Sequence, residues 1–255
     1  MIRLFITGIT GAMGQMIVNM SSDYGDFKIV GGLGKSYEHP TTYPIFSEFS
    51  QVDRALNFDV LIDFSTASLV NQVVEFSKDR LKPAVICTTG LSGETEQRIQ
   101  VVSKDLPVFK SGNMSVGVHL ISKLLRQVAQ VIGDSNDVEI IEKHHRRKVD
   151  APSGTALMLA DALNSGLTHN RNVELGRKEV GSKDRDSINI HSVRGGTIVG
   201  EHEVIFAGED EIITLSHGAY SRRVFAKGAL DAARFICNKP PGLYDMNDLL
   251  EEKLI

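Results

Sequence analysis

Residues 142–156 read EKHHRRKVDAPSGTA. Two histidines, two arginines and a lysine occupy the five positions from His144 to Lys148. That much positive charge repels itself unless an anion sits among it. Imidazole and ammonium groups also deliver protons in general acid catalysis. Past the cluster, Ser153 stands as N-cap of a helical pattern, SGTALMLADALN. Free N–H groups at a helix start, together with nearby cations, suit a carboxylate or a phosphate. A solvated basic loop is the plainer alternative. A histidine pair beside a lysine and a capped helix favours the anion site.

A second stretch with chemical meaning is TGITGAMG, which follows the apolar run Ile2–Thr7 and opens a helical pattern. Gly8, Gly11 and Gly14 have GxxGxxG spacing, which allows a tight turn, close approach of backbone to a pyrophosphate, and close helix–strand packing. Ile9, Thr10, Ala12 and Met13 complete this turn as cofactor-binding candidates, although a methionine there is more often core filler. DFST (63–66) and CTTG (87–90) fall at later strand ends, where hydroxyls can contact ribose or a nicotinamide carboxamide. Helix capping is the alternative for Ser65 and Thr66. Cys87 places a free thiol in the same predicted crevice. The acid that usually ends the second strand to hold the adenosine ribose is missing. Gly34 and Lys35 stand there instead, and Lys35 can meet a 2′-phosphate; Glu38 lies nearby.

These stretches need a scaffold. The chain has 255 residues and a net charge of −4, so the basic cluster is local and no broad nucleic-acid-binding face is expected. No run reaches the ~18 apolar residues of a membrane span, and no signal peptide is read at the N-terminus. Cys87 and Cys237 lack metal-ligand spacing, so no metal site is expected. A cytoplasmic protein is expected.

Candidate strands at Ile2–Thr7, Lys28–Leu33, Val60–Phe64, Ala84–Thr88 and Val108–Lys110 alternate with helical patterns, which predicts a Rossmann-like doubly wound parallel sheet. After a long helix at Val116–Ile132 the pattern changes. DVEIIEKHH, SINIHSVR, TIVGEHEVIF and EIITLSH predict a second α+β domain with a mixed or antiparallel sheet, the last three runs joined by turns. The segment Asn164–Asp186 reads as a loop. Residues 1–115 with 222–255 are expected to form the dinucleotide-binding domain, and 116–221 the substrate-binding and oligomerisation domain.

Short-chain dehydrogenases share the glycine pattern but need Tyr-x-x-x-Lys, and no tyrosine here has lysine four residues later. A non-catalytic redox sensor leaves the histidine–lysine cluster without a purpose.

GITGAMG, DFST, CTTG, GNMSVGV, EKHHRRKVDAPSGTA, VRGGTIVGEHEV and DMNDLL resemble, in order, the motif series of the 4-hydroxy-tetrahydrodipicolinate reductase (dihydrodipicolinate reductase) family. The resemblance implies an NADPH- or NADH-dependent reduction of a small dicarboxylate on the diaminopimelate route to lysine. It also implies a homotetramer assembled through the second domain. Carried over by motif, Gly8, Gly11, Met13, Thr88, Thr89, Asn113 and Met114 hold the cofactor, with Ser111 and Gly112 in the same joining segment. His144 and Lys148 are proton donors, and His145, Gly154 and Thr155 bind substrate carboxylates. The chain departs from the family pattern at Ala12, Gly34, Cys87 and Gly112-Asn113-Met114, which bears on cofactor preference.

Overall fold

The structure, a computed structural model, describes residues 1–35, 41–177 and 180–254. Glu38 therefore lies outside the described residues. The chain forms two compact units, Met1–Val116 with Arg222–Ile255, and Gly117–Ser221.

The first unit contains β1 (Ile2–Thr7), α1 (Ala12–Tyr24), β2 (Phe27–Leu33), β3 (Ile45–Phe46), β4 (Val60–Asp63), α2 (Val70–Arg80), β5 (Ala84–Ile86), α3 (Gly93–Val102) and β6 (Pro107–Lys110). The second contains α4 (Val116–Ile132), whose first residue belongs to the first unit, then β7 (Asp137–His144), α5 (Gly154–Asn164), β8 (Asn172–Leu175), β9 (Ser187–Arg194), β10 (Gly200–Ala207) and β11 (Ile212–Ala219). The chain then returns to the first unit with α6 (Arg223–Ile236), β12 (Gly242–Tyr244) and α7 (Met246–Leu254).

All strands of the seven-stranded sheet are parallel, in the order β12-β6-β5-β4-β1-β2-β3. Its short strands are largely apolar because both faces are covered, with polar residues such as Thr7, Asp63 and Lys110 at strand ends. Leu4, Ile6, Val60, Ile62 and Val85 pack with residues of α1, α6 and α7 on one face. Phe5, Leu61, Ala84 and Ile86 pack with α2 and α3 on the other. The side-chain period of two divides each strand between two cores. The chain runs from β1 out to β3 and comes back to β4, so the strand order reverses between β1 and β4, where such sheets hold their ligands.

The second unit is built on a five-stranded sheet, β11-β10-β7-β9-β8. It is mixed: β10 is antiparallel to β7 and β11, while β9 is parallel to β7 and β8. The glycine pair Gly195-Gly196 is thus not a hairpin between neighbours. β7 lies between β9 and β10, because its central position lets Val138 and Ile140 meet Ile188 and Ile190 on one side and Val204 and Phe206 on the other. The predicted loop Asn164–Asp186 also needs correction, since β8 lies within it and extends the sheet edge. Ala156, Leu159, Ala160 and Leu163 of α5 repeat at helical spacing and are all buried against this sheet. Each leucine so buried contributes about 1.5–3 kcal/mol.

Candidate active site

In the first unit, the turn after β1 follows the glycine reading closely. Gly8 has φ of +76°, and a Cβ there would lie 2.3 Å from the Phe64 carbonyl oxygen that follows β4. A Cβ on Gly14 would lie 2.3 Å from the Gly8 carbonyl oxygen, so only glycine lets α1 approach the turn. Gly11 is the N-cap of α1 and offers no side-chain cap, and no acidic residue stands in the first turn. The first-turn amides of Ala12, Met13 and Gly14 therefore head an exposed helix start, suited to a pyrophosphate.

The other residues of the turn contribute differently from one another. Ile9 is fully buried in the core, which leaves its backbone alone for a ligand. Met13 is half-buried and packs on the same core, while Ala12 is exposed. The Thr10 hydroxyl accepts from the Lys35 N–H at 3.2 Å, and Lys35 is exposed. At Gly34 a Cβ would lie 2.8 Å from both Thr10 Oγ1 and Cγ2. The acid missing from the end of β2 therefore has no room without movement of Thr10.

The ends of β1, β4 and β5 are joined by Asp63, a fully buried carboxylate that sequence reasoning passed over in favour of its hydroxyl neighbours. It accepts the hydroxyls of Thr7 and Thr88, the latter at 2.6 Å, and the Ser65 N–H at 3.2 Å. The Thr66 hydroxyl bonds locally with the Ser68 hydroxyl at 3.1 Å. Thr88 is buried and Thr89 exposed, with Gly112 against the Thr89 methyl. Ser111 donates to the Asn113 carbonyl, and the Asn113 side chain accepts from the Ser115 N–H at 2.8 Å. Two residues predicted to bind the cofactor turn their side chains into the core. Met114 lies in the core, where its carbonyl packs against Gly228. The Cys87 thiol is also in the core; burial, then the Asp63 charge, push its pKa well up, so it is an inert packing group.

In the second unit, the inward-facing row of β7 runs Val138, Ile140, Glu142, His144, apolar at its start and ionic at its end. Glu142 is fully buried. One oxygen meets His144 Nδ1 at 2.6 Å and Arg194 Nη1 at 2.7 Å. The other accepts from Arg194 Nη2 at 2.6 Å and from the Ser153 N–H at 3.2 Å. Burial opposes ionisation of Glu142, but hydrogen bonds from Arg194, Ser192 and His144 outweigh it and hold the carboxyl down to about 2. This bridge fixes the ring of His144 with Nδ1 toward the carboxylate. Nε2 faces the backbone of β10, where a Cβ on Gly200 would lie 3.1 Å away.

Burial lowers the His144 pKa, Glu142 opposes this, and Lys148 and Arg194 add to it. Beside it stands His202 on β10, its ring 5.2 Å from the His144 ring and its Nε2 2.9 Å from Ser153 Oγ. Burial, then the neighbouring His144, hold His202 down to about 4. Ser153 caps α5 as expected, accepting from the Ala156 N–H at 3.1 Å.

The loop after β7 brings Lys148 into the same unit of structure, its Nζ 2.9 Å from Asp150. Its backbone N–H donates to the His145 carbonyl at 3.1 Å. His145 Nδ1 is buried without a hydrogen-bond partner. Gly154 is exposed at the start of α5 with open space where a Cβ would stand, and Thr155 follows, half-buried. Arg146 and Arg147 are exposed. Glu142, Arg194 and His202 were not anticipated. The alternation of DVEIIEKH carried the signal for Glu142, since a carboxylate on a buried row demands partners. Cavities of about 570 Å³ and 720 Å³ lie elsewhere, at Glu174–Asn189 and at Phe49–Lys82. Among the described residues no cluster could hold a metal ion, and no helix is long and apolar enough to cross a membrane.

The first unit has the glycine-turn parallel sheet of dinucleotide-binding proteins, and the second carries a buried Glu–His–Arg group beside a capped helix start. Residues 2–114 match the family description "Dihydrodipicolinate reductase, N-terminus" and residues 117–250 match "Dihydrodipicolinate reductase, C-terminus". The chain belongs to the dihydrodipicolinate reductase family. It is 42% identical to a 4-hydroxy-tetrahydrodipicolinate reductase of Clostridium novyi, over 99% of this chain and 100% of that one. It is 44% identical to the enzyme of that name from Caldanaerobacter subterraneus, over 99% of each chain. Among solved structures, it resembles a dipicolinate-bound dihydrodipicolinate reductase from Paenisporosarcina sp. TG-14, with a TM-score of 0.79 and 26% identity, over 97% of this chain and 99% of that one.

Proposed function

We infer that the chain reduces 4-hydroxy-tetrahydrodipicolinate to tetrahydrodipicolinate, consuming one proton and releasing water, on the diaminopimelate route to lysine. Full-length relatives of that name support the reaction. The observation in the second unit that carries it is the buried Glu142–His144 pair beside the Ser153-capped start of α5. It combines a proton-transfer group with a binding place for carboxylates.

NADPH or NADH, held at the Gly8–Gly14 turn, supplies the hydride. Hydride addition to a conjugated cyclic imine leaves electron density that an acid must quench. His144 and Lys148 are the groups in the second unit suited to donate. Burial lowers the His144 pKa in the free protein, against the pull of Glu142. A bound dicarboxylate favours the imidazolium, so substrate arms its own acid. Lys148 is released from Asp150 by the same competing negative charge. His145, Gly154 and Thr155 receive the carboxylates, the last two through the amides heading α5.

The reading extends to cofactor preference, assembly and location. Without an acid at Gly34, and with Lys35 exposed, NADPH works at least as well as NADH. The protein is a cytoplasmic homotetramer joined through the second unit, where Ile212 and Ile213 of β11 are 69% and 37% exposed. A monomeric mass by light scattering at micromolar concentration removes the tetramer. The reaction itself is tested by absorbance at 340 nm with enzymatically generated substrate and each cofactor in turn. Oxidation of the cofactor is expected, and oxidation of neither favours a sensor that binds the dinucleotide without turnover.

A further inference from the structure

We propose that Asp63 is a positioning residue for the nicotinamide end of the cofactor, fixing the Thr88 hydroxyl as a hydrogen-bond acceptor for the carboxamide amino group. The proposal rests on the cofactor reading above and concerns the first unit alone.

Topology supplies the location. The strand order reverses between β1 and β4, and in such folds the end of β2 holds the adenosine ribose. The nicotinamide half then extends the other way, across the ends of β4 and β5. Asp63 ends β4, and Thr88 follows β5.

Hydrogen-bond accounting supplies the polarity. Asp63 Oδ1 takes two donors, the Thr7 hydroxyl and the Ser65 N–H, while Oδ2 takes the Thr88 hydroxyl at 2.6 Å. A hydroxyl has one proton and a carboxylate only accepts, so the proton of Thr88 is committed to Asp63. What Thr88 Oγ1 has left is lone pairs. A carboxamide offers an amino donor and a carbonyl acceptor, and only the amino group matches. Among the described residues no cationic side chain pairs with Asp63, so its charge is compensated by these neutral donors. Charge assistance makes their orientation firm.

The substitution Asp63→Asn inverts this arrangement without changing its shape. Two donors converge on the Oδ1 position, which holds the amide oxygen there. The amide nitrogen must then take the Oδ2 position and donate to Thr88 Oγ1. The Thr88 proton turns outward, and an acceptor becomes a donor.

The test measures, by calorimetry, the affinities of NADH, of the reduced 3-acetylpyridine analogue that lacks the amino group, and of ADP-ribose, which lacks the nicotinamide. For the natural chain, NADH should bind about five- to tenfold better than the analogue, the value of one hydrogen bond. In Asp63→Asn that ratio should fall to about one or invert, with ADP-ribose affinity unchanged. A ratio preserved in the variant overturns the proposal, as does an equal loss for all three ligands, which marks a purely structural carboxylate. Should Asp63→Asn not fold, Thr88→Val must abolish the ratio and Thr88→Ser must keep it; a ratio that survives Thr88→Val overturns the proposal. Failure of the natural chain to bind either dinucleotide overturns the cofactor reading itself, which separates the two.

Discussion

The turn proposed for the cofactor and the loop proposed for the substrate are built for anions from opposite materials. Around Gly8–Gly14 stand backbone amides and small neutral side chains, and the buried carboxylate of Asp63 is held by hydroxyls and an amide. Around His144–Thr155 stands charge, some of it deeply buried, with Glu142 bound to Arg194 and His144 under the N-terminus of α5. The first arrangement depends above all on close backbone approach. The second needs an exact count of protons, because every buried charge must keep its partner. A binding site for an unreactive pyrophosphate suits the first kind, and a site that must hand over a proton requires the second.

The sharpest break in this contrast comes from the proton donors. Lys148→Ala and His144→Ala should each lower kcat by ~10²–10⁴, the usual loss for a positioned general acid. Cofactor affinity should stay normal, since the cradle lies in the other unit. Near-normal kcat in Lys148→Ala, with folding and cofactor affinity intact, would remove this loop as the catalytic centre.

Next is the buried pair. Glu142→Ala strands Arg194 and should cost about 3–5 kcal/mol of stability, the scale for breaking a buried ion pair on one side. Thermal unfolding checks this. A Tm close to that of the natural chain would mean that Glu142 is not holding the site together.

Acid should separate the two units more gently. His202 is held down to about 4 and Glu142 to about 2, against ~6.5 and ~4.3 for the unfolded groups. As pH falls from ~6.5 to ~4, the unfolded chain takes up a proton at His202 that the folded chain resists; Glu142 does the same from ~4.3 to ~2. Both effects lower stability with falling pH. The first unit has lowered carboxylates too, Asp231 among them, but no buried imidazole of this kind among its described residues. Hydrogen exchange followed against pH should show the second unit opening at higher pH. Earlier opening of the first unit would reverse the comparison.

The smallest effect belongs to the one cation proposed for the neutral cradle. Lys35 is exposed, and exposed ion pairs contribute about 0.2–1 kcal/mol. Lys35→Ala should weaken NADPH by between about 1.5- and fivefold and leave NADH alone. An equal loss for both cofactors would show that Lys35 does not meet a 2′-phosphate.

Much of this molecule is local and was legible in the chain. Gly8, Gly11 and Gly14 announce their turn because a strand precedes them and a helix follows. Ser153 announces a helix start because its hydroxyl accepts from an amide three residues on. β1 and α4 are found at the positions their apolar patterns predict, Ile2–Thr7 and Val116–Ile132. The apolar strands of the first unit fix a parallel sheet, since only a sheet covered on both faces tolerates them.

What the sequence left undecided is what depends on distant partners. Whether Gly195-Gly196 joins neighbouring strands is set by β7 pairing with both β9 and β10, a competition between alternatives that share the same local pattern. That Glu142 meets an arginine 52 residues away, that Asp63 binds Thr7 and Thr88, and that Cys87 and Met114 turn into the core are likewise decided by tertiary packing. Periodicity tells which face a side chain lies on. Only the assembled fold tells what faces it, and a buried polar group acquires its chemistry from that partner.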